Sequence, residues 1–340
     1  MNVKTHMAPP QAGPARAVLV LGAASAALAG AVLLSLVAGS RPTPPLEVLQ
    51  VFTGGADPYT TTVVESRVPR TLLGIVAGAA LALAGTLMQG VTRNPLADPG
   101  LLGVNAGAAA AVVTATALLG PASTTATVWW ALPGALLAGL AAYTVGTRGG
   151  DGGMVRLVLA GAVVSAVLHA YVQAVTLSMP DVFDSYRYWV VGSLAGRGYD
   201  VILSVLPVIG LGVVLALLVM GPLNALALGE EAAVATGANV FLARSGGLVA
   251  GTLLAAGATA AAGPIAFVGL AVPHVVRGLV GVDFRYQVPF ALLVGPTLLL
   301  LSDVVGRTLV RPMELMVGVV TAFVGAPVLL YVVRKMRASS

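Results

Sequence analysis

The chain contains no cysteine, which excludes disulfides, iron–sulfur clusters and thiolate metal sites. Charge is almost as scarce. Its 340 residues include 18 lysines and arginines and 13 aspartates and glutamates, only 9% of the total. Soluble domains average about 25%, so a water-soluble enzyme is excluded. Disorder is excluded for the opposite reason, since 58% of the residues are hydrophobic. Histidine is limited to His6, His169 and His274, too scattered to form a metal-ligand cluster. The net charge of +5 could suggest nucleic acid in a soluble protein; in this one it reflects membrane topology, and no nucleic-acid partner is implied.

What is present is a series of long uncharged runs, at 17–40, 71–92, 99–147, 157–180, 201–229, 245–276, 286–302 and 315–333. A membrane helix needs about 20 such residues. Two runs are too long for one helix. The first of these breaks at Gly120-Pro121-Ala122-Ser123 and the second at Gly263-Pro264, where proline removes a backbone donor. The expectation is an all-α polytopic membrane protein of ten helices. It has a disordered polar tail over 1–15 and a single membrane domain over 16–337. Period-two alternation is missing, so a β-barrel is excluded. The first run is longer than a signal-peptide core and is taken as the first span. With both termini on the cytoplasmic side, eleven basic residues fall inside and seven outside. Ala77-Gly78 to Gly85 echoes Ala250-Gly251 to Gly257, which fits either an inverted repeat or chance in small-residue sequence.

Energy-coupling chemistry is also lacking. The lysines are Lys4 and Lys335, and neither follows a phosphate-binding glycine loop, so this chain does not hydrolyse ATP. The spans hold almost no carboxylates of the kind an ion-coupled relay needs. Asp303 and Glu314 are expected to flank a short outside turn. His169 in the fifth span reads as a packed, hydrogen-bonded residue or a proton relay. No nucleophile–base pair is seen, so no catalytic residue is assigned.

Four segments exceed what membrane insertion requires. They are Arg67-Val68-Pro69-Arg70 with Arg93-Asn94-Pro95-Leu96-Ala97-Asp98-Pro99; Pro180-Asp181-Val182 followed by Trp189 and Gly192-Ser193; Leu228-Gly229-Glu230-Glu231-Ala232-Ala233 to Gly237; and Gly269-Leu270-Ala271-Val272-Pro273-His274 continuing to Gly325-Ala326-Pro327. Together they resemble the permease family of type II ATP-binding-cassette importers for ferric siderophores, haem and cobalamin, over about residues 17–335. Within it the look is that of permeases for ferric-enterobactin-type siderophores.

The resemblance implies a ferric-siderophore permease in the bacterial cytoplasmic (inner) membrane, surrounded by lipid, with no cofactor or metal of its own. Its implied partners are a second permease subunit (a paralogue by preference, a homodimer remaining open), two cytoplasmic ATPases that hold ATP and magnesium, and a periplasmic or lipid-anchored binding protein. Leu228, Gly229, Glu230, Glu231, Ala232, Ala233 and Gly237 match the ATPase-coupling pattern, in a short helix over 224–237 within a coupling region 222–238. Arg67, Arg70 and Arg307 match positions that dock the binding protein. Asn94 and Leu96 are candidates for the inner gate or a structural turn. Trp189, Gly192 and Ser193 are candidates for the outer mouth, with an interfacial anchor the alternative for Trp189. His274 is expected to cap an inside helix end. Haem or cobalamin as cargo, and an ion-coupled secondary transporter, remain as alternatives.

Overall fold

The computed structural model describes residues 14–39, 42–147 and 153–339. The polar tail expected over 1–15 therefore lies outside the described residues, apart from its last two positions, as do Arg41, Arg148 and Asp151.

The described chain is helical throughout. Its elements are α1 (Pro14–Val37), α2 (Pro45–Thr53), α3 (Pro58–Thr92), a 3-10 turn (Pro99–Leu102), α4 (Val104–Leu119), α5 (Thr124–Thr147), α6 (Gly153–Ser178) and α7 (Pro180–Val190). They continue with α8 (Tyr199–Ala227), α9 (Glu230–Ala235), α10 (Val240–Ala262), α11 (Val268–Val280), α12 (Phe284–Leu309) and α13 (Val317–Ser339). Seven of these are long and apolar enough to cross a membrane: α1, α3, α5, α6, α8, α10 and α12. The shorter α4, α11 and Val317–Val328 of α13 are apolar as well, and with them the count reaches the ten membrane helices expected.

Helices break where the sequence signals a break. α4 ends at Gly120 and α10 at Gly263, and both glycines have positive φ, a conformation a Cβ disfavours. Successive crossings alternate between two ends of the bundle. One end carries α2, α7 and the α12–α13 turn, and is called the α7 end. The other carries the 93–103 turn and α9, and is called the α9 end.

α3 is the central post. Of its most apolar stretch 78% is buried, against 11% for α1 and 22% for α6. It packs on α12, α10 and α11. Contact is close because glycines face backbone. A Cβ at Gly85 would fall on the Gly269 carbonyl, and one at Gly107 on the Gly134 carbonyl. In a membrane, where lipid is as apolar as leucine, such small-residue seams are what let helices associate. α3 exceeds the uncharged run 71–92 by thirteen residues at its start. At 1.5 Å per residue it is roughly 50 Å long, against a hydrocarbon core of about 30 Å. Its charged first half projects past the apolar layer at the α7 end.

Candidate functional site

At the α7 end, α1 stops at Val37 and leaves its last carbonyls without helical partners. Two arginines from elsewhere supply donors. Arg67 Nη1 donates to Leu36 O (2.7 Å), Val37 O (3.0 Å) and Thr43 Oγ1 (3.3 Å). Arg307 Nη1 donates to Ser35 O and Ala38 O, both at 3.0 Å, and its Nη2 to Ser35 Oγ at 3.0 Å. Cations at a helix C-terminus are also favoured by its dipole. Asp303 joins the group. Its carboxylate accepts from Arg70 Nε and Nη2 at 2.8–3.2 Å and lies 3.0 Å from Arg307 Nε. Arg70 Nη1 reaches on to Glu314 Oε2 at 2.8 Å.

The structure thus brings Arg67, Arg70 and Arg307 together, but not as displayed side chains. Arg67 is 7% and Arg307 2% exposed, and both are internal braces between α1, α3 and α12. Of the three arginines matched to docking positions, Arg67 and Arg307 are therefore buried in this chain. A buried guanidinium is costly unless its donors are met, so these groups stay where donors meet acceptors. Only the Arg70–Glu314 edge approaches the surface. Asp303 is likewise inside α12, 1% exposed, on the helix that leads into the α12–α13 turn.

Beside this brace, Gly74 of α3 lies against Leu300 and Leu194, which leads to the segment after α7. Gly192 N–H donates to Trp189 O, Ser193 N–H to Ala262 O (2.7 Å), and Gly318 N–H to Gly192 O (3.3 Å). Residues 192–193 therefore tie α7 to the ends of α10 and α13. Gly192 has φ of 77°, and a Cβ there would fall on the Pro264 carbonyl. Trp189 and Ser193 line a cavity of about 330 Å³ with Thr116, Thr124, Tyr188 and Arg197. Trp189 is 5% exposed, so it packs inward rather than acting as an interfacial anchor, and its indole N–H has no partner among the described residues.

At the α9 end, α8 runs on to Ala227, so the short helix expected over 224–237 is reduced to α9, residues 230–235. Gly229 (φ 114°) and Gly237 (φ 76°) bound it as expected. Ala233 is fully buried, while Leu228 and Val234 are 72% and 64% exposed. Glu230 pairs with Arg244 of α10 at 2.8 Å, Glu231 is exposed and Ala232 is half-buried. Asn94 Oδ1 accepts from Leu96 N–H at 2.9 Å and Ala97 N–H donates to Asn94 O at 3.1 Å, a local turn in which Asn94 and Leu96 are both exposed. Next to it, burial pushes the Asp98 carboxyl above the usual carboxylate range, against a hydrogen bond from Gly100 N–H.

His274 sits within α11, its Nδ1 2.8 Å from Leu270 O, so it does not cap a helix end as expected. His169 stands exposed on α6, its Nδ1 2.8 Å from Ser165 O, and is not packed inside.

Several polar residues here escaped sequence reasoning. Asn224 of α8 donates to Asp283 Oδ1 (2.6 Å) and accepts from Phe284 N–H (2.8 Å), clamping α8 to α12. Gln89 bonds Arg277 across α3 and α11, and Thr259 donates to Asn105 Oδ1 at 2.8 Å. A lone amide inside an apolar helix was the available signal, since each such group needs a partner.

A ten-helix bundle with a polar cavity at one end and a short glycine-bounded helix at the other is the architecture of a multi-pass membrane permease, not an enzyme. Comparison with known proteins agrees. Residues 27–335 match the FecCD transport family, and the chain belongs to it. It is 47% identical over 307 residues to the ferric enterobactin transport system permease protein FepD of Escherichia coli (strain K12), covering 90% of this chain and 92% of that protein. Identity is 40% over 271 residues to the Fe(3+)-citrate import system permease protein YfmD of Bacillus subtilis (strain 168), 80% of each chain. A solved structure described as an inward-facing metal-chelate type ABC transporter superposes with a TM-score of 0.79 at 27% identity, covering 94% of this chain and 99% of that one. The chain is a permease subunit of an ATP-binding-cassette importer.

Proposed function

We propose that this permease moves a ferric siderophore of the catecholate type across the cytoplasmic membrane, from the α7 end, facing outward, to the α9 end, facing the cytoplasm. The observation that carries the reading is α9. The six-residue helix, set between Gly229 and Gly237 with their positive φ, holds apolar Val234 out into solvent at the end opposite the cavity, and Leu228 is exposed just before it. Exposed apolar side chains on a short pinned helix suit a groove on a partner, here an ATPase that holds ATP and magnesium. Two such ATPases, a second permease and a binding protein complete the assembly. A paralogous second permease is preferred.

The 47% identity to a ferric enterobactin permease supports the cargo class. In this reading the α1–α3–α12 brace shapes the face offered to the binding protein, with Arg70 and Glu314 at its edge, and the Asn94–Leu96 turn borders the inner exit. Termini on the cytoplasmic side follow from the same orientation. The test is uptake into proteoliposomes holding the permease, its paired permease and the ATPase, with binding protein loaded with an iron-55 catecholate chelate. Uptake is expected only with magnesium and ATP. Uptake driven by a proton gradient without ATP would overturn the coupling, and preference for haem over the catecholate would overturn the cargo.

A further inference from the structure

Arg197 stands apart from the ion-paired arginines of the α7 end. It lies between α7 and α8, half-buried, and lines the 330 Å³ cavity. Among the described residues it forms no ion pair. Of the described acids at this end, Asp303 and Glu314 pair with Arg70 and Asp184 with Arg187 (3.3 Å), Asp57 caps α3 and Asp200 accepts from the Thr125 hydroxyl; none of these, nor Glu47, Glu65 or Asp181, forms an ion pair with Arg197. Burial disfavours the charged form of the Arg197 guanidinium. A desolvated cation without a partner is costly unless a ligand supplies one.

The cavity around it is dressed for such a ligand. Thr124, Tyr188 and Ser193 line it and bring hydroxyl groups, Thr116 and Ser185 line it with hydroxyls that donate to backbone carbonyls, and Trp189 forms part of the wall. Hydroxyls donate to oxygen acceptors, and a guanidinium grips paired oxygens in a fork.

We propose that the Arg197 cavity is an anion-selective subsite that takes the oxygen-rich, negatively charged face of a metal chelate as it enters the permease. The idea rests on the reading of the α7 end as the outward mouth and of the cargo as a catecholate complex. A ferric ion wrapped by catecholates carries net negative charge, because each catecholate brings more negative charge than its share of the metal cancels. Arg197 then contributes discrimination by charge inside the permease.

The test varies chelate charge at constant shape. Ferric and germanium(IV) complexes of one tris-catecholate ligand differ by a single unit of charge. Uptake of each is measured in proteoliposomes of the full transporter with wild-type permease, Arg197→Gln and Arg197→Lys, using the same binding protein. Arg197→Gln is expected to lower ferric-chelate uptake about tenfold, the loss of one charged hydrogen-bonding contact, and to lower germanium-chelate uptake distinctly less. Arg197→Lys should keep the charge discrimination. ATPase stimulation by the binding protein should persist in both variants.

Equal losses for the two chelates, or no loss, would overturn the proposal. So would a loss seen in vesicles of anionic lipid but not of zwitterionic lipid, which would assign Arg197 to lipid headgroups. Should Arg197→Gln fail to fold, as read by its melting in detergent, Arg197→Lys decides alone: lost discrimination in that variant overturns the idea and kept discrimination upholds it. If wild-type transporter takes up neither chelate, the cargo reading fails instead, and the two failures are distinct.

Discussion

Asp303 is the residue on which the α7 end is most finely balanced. One carboxylate, 1% exposed, faces two guanidiniums. Removing its charge leaves Arg307 without a counter-charge and Arg70 with Glu314 alone, a cost of about 3–5 kcal/mol for breaking a buried pair. Glu314 is 35% exposed and its pairing with Arg70 is worth about 1 kcal/mol or less. Asp303→Asn is therefore expected to lower the melting temperature in detergent well beyond Glu314→Gln; similar shifts for the two would refute this ranking. The arginines were visible in the sequence as charges out of place, yet their direction was not. Uncharged runs report where the chain crosses the bilayer. They do not report that the orphan carbonyls of α1 will be met by Arg67, 30 residues from Val37, and by Arg307, 272 residues from Ser35.

Among the elements, α9 carries the sharpest consequence. Gly237 at φ 76° holds a conformation that costs other residues about 1–2 kcal/mol. Gly237→Val should re-aim the end of α9, so that uptake falls while ATP hydrolysis continues. Retained uptake in that variant would separate α9 from coupling. Glu230→Gln removes only a half-exposed tie to Arg244, worth roughly 0.2–1 kcal/mol, and is expected to change transport little. The spans themselves were legible, because hydropathy and the breaks at Gly120 and Gly263 are local properties. The length of α9 was not. Leu223 to Ala227 continue α8 by helix propensity and packing, and only the left-handed turn at Gly229 ends that continuity.

For the whole molecule, the lack of cysteine means that spin-label pairs can be introduced without removing a native thiol. Leu72 of α3 and Leu301 of α12 are exposed and report on the central post, while Leu96 and Val234 report on the α9 end. In the assembled transporter the first separation is expected to stay constant through the ATP cycle and the second to change. A shift between Leu72 and Leu301 would show that the post itself deforms.

The reason for that expectation lies in the glycine seams along α3. Where Gly78 meets Gly295 and Gly85 meets Gly269, two backbones touch with no side chain between them. Side chains can hop between rotamers and act as bearings, whereas bare backbone cannot. A joint of this kind either holds or separates, so α3, α11 and α12 should travel as one block. The freedom to switch is left to the thin pieces at the two ends, α7 and α9.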